Sequence, residues 1–174
     1  MVFDWFDNAP RRVLALVAAA CVAMLGFGLY LQHVVGLEPC PMCIVQRYAL
    51  IFVAVIAVVT ALFKGRRSVV TGSGLMLVVA GFGAFVAARQ SWLQWNPPEI
   101  ASCGRDFYGM IEHFPLQRVV PMIFRGSGDC TKIDWTFLGG SIANWSFLAF
   151  CFFALVAAFI IARQARRSSP TLAA

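Results

Sequence analysis

The sequence predicts an all-α integral membrane protein: a four-helix transmembrane bundle with two outward loops, the second containing a short interfacial helix. Three observations lead there. Of 174 residues, 60% are hydrophobic and 13% charged, and mean hydropathy is +0.77, whereas a soluble domain carries about 45–50% apolar and about 25% charged residues. The apolar surplus falls into four windows, residues 13–31, 44–63, 69–88 and 142–162, each matching the roughly 20 residues that cross a hydrocarbon core of about 30 Å. Finally, the formal charge of +6 sits in short clusters beside these windows, a pattern of topology signals rather than of nucleic-acid binding.

The first window follows Arg11 and Arg12. A basic pair before an apolar run can open a cleaved export signal, and Ala18-Ala19-Ala20-Cys21 loosely resembles a lipoprotein cleavage site. The run continues past Cys21 to Leu31, as a membrane span does, so an anchor is the expectation. Residues 32–43 form the first connection. The second window holds a single charge, Arg47. Because lipid offers backbone groups no partners, each window is expected to be helical. Residues 64–68 make a short turn rich in Lys64, Arg66 and Arg67. In the third window Ala80, Ala84 and Ala88 recur at helical spacing, with Gly72, Gly74, Gly81 and Gly83 keeping the helix slim for close packing. The third connection, 89–141, contains an apolar patch at 115–124, read as an amphipathic stretch lying in the membrane interface. With no internal repeat and no low-complexity linker, residues 1–174 read as one domain.

Orientation follows from lysine and arginine. Arg11, Arg12, Lys64, Arg66, Arg67, Arg163, Arg166 and Arg167 fall on one side of an even number of spans, and the basic residues of the opposite loops are offset by Glu38, Glu99, Asp106, Glu112, Asp129 and Asp134. The positive-inside rule then puts both termini in the cytoplasm and both cysteine-bearing loops outside. Trp92, Trp95, Trp135 and Trp145 flank the outer ends of windows three and four, where aromatic belts occur.

The six cysteines divide into three pairs. Cys21 and Cys151 lie within apolar windows, where a thiol behaves as a small hydrophobe. Cys40 and Cys43 form Cys-Pro-Met-Cys at the start of the second window. A helix N-terminus favours thiolate, and Arg47, one turn beyond Cys43, is positioned to add to that effect. Cys103 and Cys130 bracket most of the third connection. A bond between them would staple a long loop, or the two outer pairs could exchange partners through mixed disulfides. Four thiols could instead hold zinc; against this, the second pair is widely spaced, and an oxidising compartment disfavours standing thiols. A membrane adaptor with one stapled loop is the remaining rival. His33 is expected to be a solvated helix-end residue and His113 a solvated loop residue.

Taken together, Gln32-His33, Pro39-Cys40-Pro41-Met42-Cys43 with Arg47, Cys103, Pro115-Leu116, Val120-Pro121, Phe124, Ser127-Gly128-Asp129-Cys130, Trp135-Thr136-Phe137-Leu138-Gly139 and Trp145 resemble the disulfide bond formation protein B (DsbB) family over nearly the whole chain. The resemblance implies a protein-dithiol:quinone oxidoreductase of the bacterial inner membrane, with periplasmic cysteine loops. Its partners would be a DsbA-like periplasmic thioredoxin-fold oxidase and a membrane quinone, ubiquinone or menaquinone. In that scheme Cys103 forms the mixed disulfide with the incoming partner, Cys130 is released to attack Cys40, Cys43 faces the quinone, and Arg47 holds and polarises it. Some members carry a histidine just beyond the third span where this chain has Gln90, whose amide could hydrogen-bond a quinone oxygen; Arg118 and Val119 replace a more aromatic or acidic pattern. A vitamin K epoxide reductase-like protein would share the chemistry, but that family's additional helix is missing here.

Overall fold

Helix α1 runs Pro10–His33, α2 Pro41–Leu62, α3 Arg66–Trp95 and α4 Ile142–Arg166, with a small hairpin, β1 Thr136–Phe137 and β2 Gly140–Ser141, just before α4. The computed structural model describes residues 10–63, 65–97 and 130–166. All four helices are long and apolar enough to cross a membrane. The predicted interfacial stretch at 115–124 lies outside the described residues.

Each sequence window recurs as a helix, and the boundaries differ where polarity and helicity part company. The third helix continues to Trp95, so residues 89–95 are helix and not the start of a loop. Hydropathy drops at Arg89, Gln90, Ser91 and Gln94, but backbone hydrogen bonding does not, and Gln90 and Ser91 are buried against the bundle. At about 1.5 Å per residue, the 30 residues of α3 outreach a hydrocarbon core of about 30 Å. Its last turns therefore stand among the loops and carry side chains to the site described below. The second helix starts three residues before its apolar window. Cys40 is its N-cap and Pro41 follows, a position where proline's fixed φ suits the first turn and its missing N–H costs nothing.

Consecutive helices pack pairwise, α1 on α2, α2 on α3 and, most extensively, α3 on α4. The buried side of α3 is a seam of small residues, Gly72, Ser73, Met76, Ala80, Gly83 and Ala87. A Cβ on Gly83 would lie 2.4 Å from the ring of Phe150, and one on Gly72 would lie 1.9 Å from the Thr60 hydroxyl oxygen. These two glycines let α4 and α2 approach the α3 backbone directly, the packing mode by which helices associate in lipid. On the opposite surfaces the chain exposes large apolar side chains, including Val78 (70% exposed) and Leu155 (69%). A bilayer is the environment in which such a surface is favourable.

Arginines tie the helix ends distant from Cys40. Arg66 Nε donates to the Gln164 carbonyl over 3.0 Å, and Arg11 Nε donates to the Ala61 carbonyl. Both satisfy C-terminal carbonyls that lack helical partners.

Candidate functional site: three cysteines beside an apolar cavity

At the other end of the bundle the chain gathers sulfur. Cys40 is positioned by its capping role, its Sγ accepting from the Cys43 backbone N–H over 3.4 Å. The two-residue gap of the motif folds the first helical turn back so that Cys40 Sγ donates to Cys43 Sγ over 3.0 Å. That is about 1 Å longer than a disulfide bond, so the pair closes by a small side-chain movement. Cys130 is buried in the same cluster with Cys40, Met42 and Val86, and its thiol hydrogen-bonds Cys40. Cys40 thus sits between two sulfur partners. Hydrogen bonds that the Cys40 thiol donates to Cys130 and Cys43, then burial, push its proton affinity far above the ordinary range. At Cys40 itself, neighbouring thiols and loss of water outweigh the helix N-terminus. Cys103 lies outside the described residues. Cys21 is fully buried in the apolar core, as expected for a packing residue.

An amide network lies against the sulfurs. Gln90, projecting from the last turns of α3, is buried (3% exposed), and its Nε2 donates to Cys43 Sγ over 3.2 Å and to Cys40 Sγ over 3.3 Å. Gln46, buried on α2 one turn past Cys43, donates from its Nε2 to Gln90 Oε1 over 2.6 Å. Three residues of the α2 face, Cys43, Gln46 and Leu50 at i, i+3 and i+7, then turn toward one space.

That space is a cavity of about 690 Å³, within the range of roughly 300–1,000 Å³ typical of small-molecule sites. Its walls are mainly apolar: Met24, Phe27, Leu31 and Leu50 from α1 and α2, and Ile142 and Trp145 from α4. Cys40, Cys43, Gln46, Gln90 and Arg47 supply polar groups. The Arg47 guanidinium does not hydrogen-bond sulfur. It reaches across to α1, donating to Gly28 O over 3.1 Å and to the Gln32 side-chain oxygen, so its charge faces the cavity from beside the cysteines rather than from on top of them.

The hairpin completes the outer wall. Leu138 and Gly139 both have positive φ, 50° and 79°, the signature of a type I′ turn. The hairpin is fixed by Trp145 Nε1 donating to Phe137 O over 3.0 Å and by Ser141 Oγ donating to Gln94 Oε1 over 2.6 Å. Phe27, Trp135, Phe137 and Trp145 pack ring on ring, with centroids 5.6 to 6.1 Å apart. Trp135 and Trp145 therefore form cavity wall as well as standing at a helix end.

Of the residues singled out from sequence, Cys40, Cys43, Cys130, Arg47 and Gln90 converge here, and His33 is an exposed helix end. Sequence reasoning missed Gln46, Gln94 and the hairpin. Gln46 had a readable signal, an amide inside an apolar helix on the face that carries Cys43. The hairpin had a weak one, since leucine occupies a turn position that asparagine or glycine usually fills.

Comparison with known proteins agrees with this geometry. Residues 10–160 match the family described as Disulfide bond formation protein DsbB. Among similar relatives, all named Disulfide bond formation protein B, that of Polaromonas sp. strain JS666 is 72% identical over 167 residues, covering 96% of this chain and 99% of the relative. That of Polaromonas naphthalenivorans is 71% identical, with 92% and 96% covered, and that of Acidovorax sp. strain JS42 is 67% identical, with 99% of each covered. Four membrane-length helices, cysteines gathered at one end and a match over most of the chain lead to one conclusion: this protein belongs to the DsbB family of membrane oxidoreductases that form disulfide bonds.

Proposed function

We propose that the chain is a protein-dithiol:quinone oxidoreductase that reoxidises a DsbA-like thioredoxin-fold protein and passes the electrons to a membrane quinone. The observation that carries this reading is the placement of Cys40 between Cys130 and Cys43, with Cys43 on the wall of an apolar cavity. In this reading both termini are cytoplasmic and the cysteine end faces the periplasm of a bacterial inner membrane.

The cavity suits a quinone on its own terms. It has apolar and aromatic walls for a ring and N–H donors on the Arg47 guanidinium for ring oxygens that can only accept. A quinone held there supplies an acceptor for two electrons and two protons; ubiquinone and menaquinone both meet that description. The remaining steps belong to sulfur. The thiolate of the reduced partner attacks Cys103 of a Cys103–Cys130 disulfide, giving a mixed disulfide and releasing Cys130 as thiolate. The partner's second thiol then displaces Cys103, leaving the partner oxidised and Cys103 and Cys130 reduced. Cys130 attacks Cys40 of a Cys40–Cys43 disulfide, and Cys103 then resolves the Cys130–Cys40 bond. The outcome is a restored Cys103–Cys130 disulfide and a reduced Cys40–Cys43 pair, which regains its disulfide by giving up two electrons and two protons. Each exchange makes one S–S bond and breaks one.

Thiol trapping during turnover tests the proposal. Two disulfides that are reduced by donor and regained with quinone are expected. Four thiols reduced throughout would indicate a metal site instead, and one permanently oxidised pair would indicate a stapled adaptor. A Cys103→Ala variant should still oxidise its Cys40–Cys43 pair with quinone while losing the mixed disulfide with the partner; a retained mixed disulfide would reassign the first step.

A further inference from the structure

We infer that Gln46 is a positioning residue of this site: by donating to the carbonyl oxygen of Gln90, it holds the Gln90 amide so that its N–H groups lie nearer the Cys40–Cys43 pair than its oxygen does. The inference rests on the thiol–quinone reading for its purpose, but its geometry stands apart from it. A glutamine amide has two nearly isosteric ends of opposite character, a donor and an acceptor. Which end meets a sulfur decides what that sulfur can become. A thiolate needs donors; an amide oxygen at the same place favours a protonated thiol.

Gln90 meets both possibilities. Its Nε2 lies 3.2 Å from Cys43 Sγ and 3.3 Å from Cys40 Sγ, and its Oε1 lies 3.7 Å from Cys43 Sγ. The sulfurs alone do not decide between these ends, because a thiol both donates and accepts. The deciding contact is the short one on the far side, Gln46 Nε2 to Gln90 Oε1 at 2.6 Å. Both side chains are buried, Gln46 at 4% and Gln90 at 3% exposure, so water is a poor substitute for either. Arg47 is hydrogen-bonded to α1, and the Gln90 amide of α3 is the group that donates to both sulfurs. The ionisable groups lining the same cavity are Glu38, Cys40, Cys43, Arg47, Lys132 and Asp134, with Cys130 against Cys40; neither glutamine adds a charge to that set. Among the described residues Gln46 donates to Gln90 and not to a sulfur. Its effect passes through Gln90.

The test is a double-mutant cycle on the full-length protein, reduced and freed of quinone, with maleimide labelling of Cys43 followed by peptide mass mapping. Gln46→Met and Gln90→Met should each slow Cys43 labelling at neutral pH by about tenfold, the scale of one hydrogen bond to a charged group. Both deficits should close as the pH rises. In the double variant labelling should be no slower than in Gln90→Met alone, because removing a residue that acts through Gln90 has no further effect once Gln90 is gone. Unchanged labelling in Gln46→Met, or an equal additional loss in the Gln90→Met background, would overturn the inference. Should Gln46→Met not fold, Gln46→Glu serves: its neutral carboxyl can donate to Gln90 and its carboxylate cannot. It should match the wild type while the carboxyl is protonated, lag it once the carboxyl ionises, and converge again where Cys43 is ionised in both, and a deficit independent of pH would overturn the inference. None of these measurements uses quinone, so a failure of quinone turnover in the wild type would strike the proposed function without touching this result.

Discussion

The two halves of the bundle solve opposite packing problems. Along the middle of α3, Gly72 and Gly83 leave no room for even a methyl group, and Phe150 and Thr60 fill the space that side chains would take. Some turns further out, the same helices open around a cavity of about 690 Å³ whose lining includes amides, thiols, hydroxyls and charged side chains. The closed half contributes rigidity through dispersion and close approach. The open half is held apart by hydrogen bonds that cross between helices, Gln46 to Gln90 and Arg47 to α1, and by the hairpin, whose Ser141 donates to Gln94. Stability and chemistry are thus segregated along the membrane normal, and substitutions should sort by which half they touch.

The largest effect is expected at the sulfur facing the cavity. Cys43→Ser leaves the fold intact and lowers quinone reduction by about 10³-fold or more, because a hydroxyl cannot take part in the dithiol–disulfide couple that carries the electron pair; steady-state turnover with a reduced donor measures it, and normal turnover would remove Cys43 from the quinone-facing role. In the closed half, Phe150→Ala empties the pocket against Gly83 and should cost about 3–5 kcal/mol of stability, read by thermal unfolding in detergent. Any activity that survives should keep its KM for quinone, since the seam does not line the cavity; a large KM change with little loss of stability would break the division between halves. Arg47→Ala is expected to raise KM for quinone roughly tenfold, about 1.4 kcal/mol, with a small change in unfolding temperature; unchanged kinetics would dismiss its role. The smallest effect belongs to Ser73, whose buried hydroxyl has no hydrogen-bond partner among the described residues. Ser73→Ala should be neutral or stabilising by up to about 1 kcal/mol, and a clear loss of stability would point to an uncounted polar contact in the seam.

How much of this was legible from sequence depends on which force sets each feature. The spans were legible because lipid demands about 20 apolar residues regardless of neighbours, and the start of α4 at Ile142 agrees with its window. The outer end of α3 was not, because hydropathy measures partition into lipid, whereas helicity beyond Ala88 is set by hydrogen bonding and by tertiary burial of Gln90 and Ser91. The cysteine motif identified Cys40 and Cys43 because short spacing fixes geometry locally. The direction of Arg47 was not local: one turn from Cys43 along α2, its guanidinium was expected beside sulfur, and Gln32 and Gly28 on α1 hold it elsewhere. The same holds for proton affinity at Cys40. Its helix N-terminus was visible, but the two thiols and the burial that outweigh it come from packing. Gln46 was visible as a residue and invisible as a partner, because its significance depends on an amide 44 positions away.

The central claim is that sulfurs gathered at one end of a lipid-embedded bundle deliver electron pairs to a diffusible quinone. Anaerobic rapid mixing of the purified protein with a quinone analogue and a reduced thioredoxin-fold donor, followed by the quinone's ultraviolet absorbance, addresses it directly. The account predicts one quinol formed per donor dithiol oxidised, with no quinol formed when Cys43 is serine. Quinone that stays oxidised while a competent donor remains reduced would contradict it.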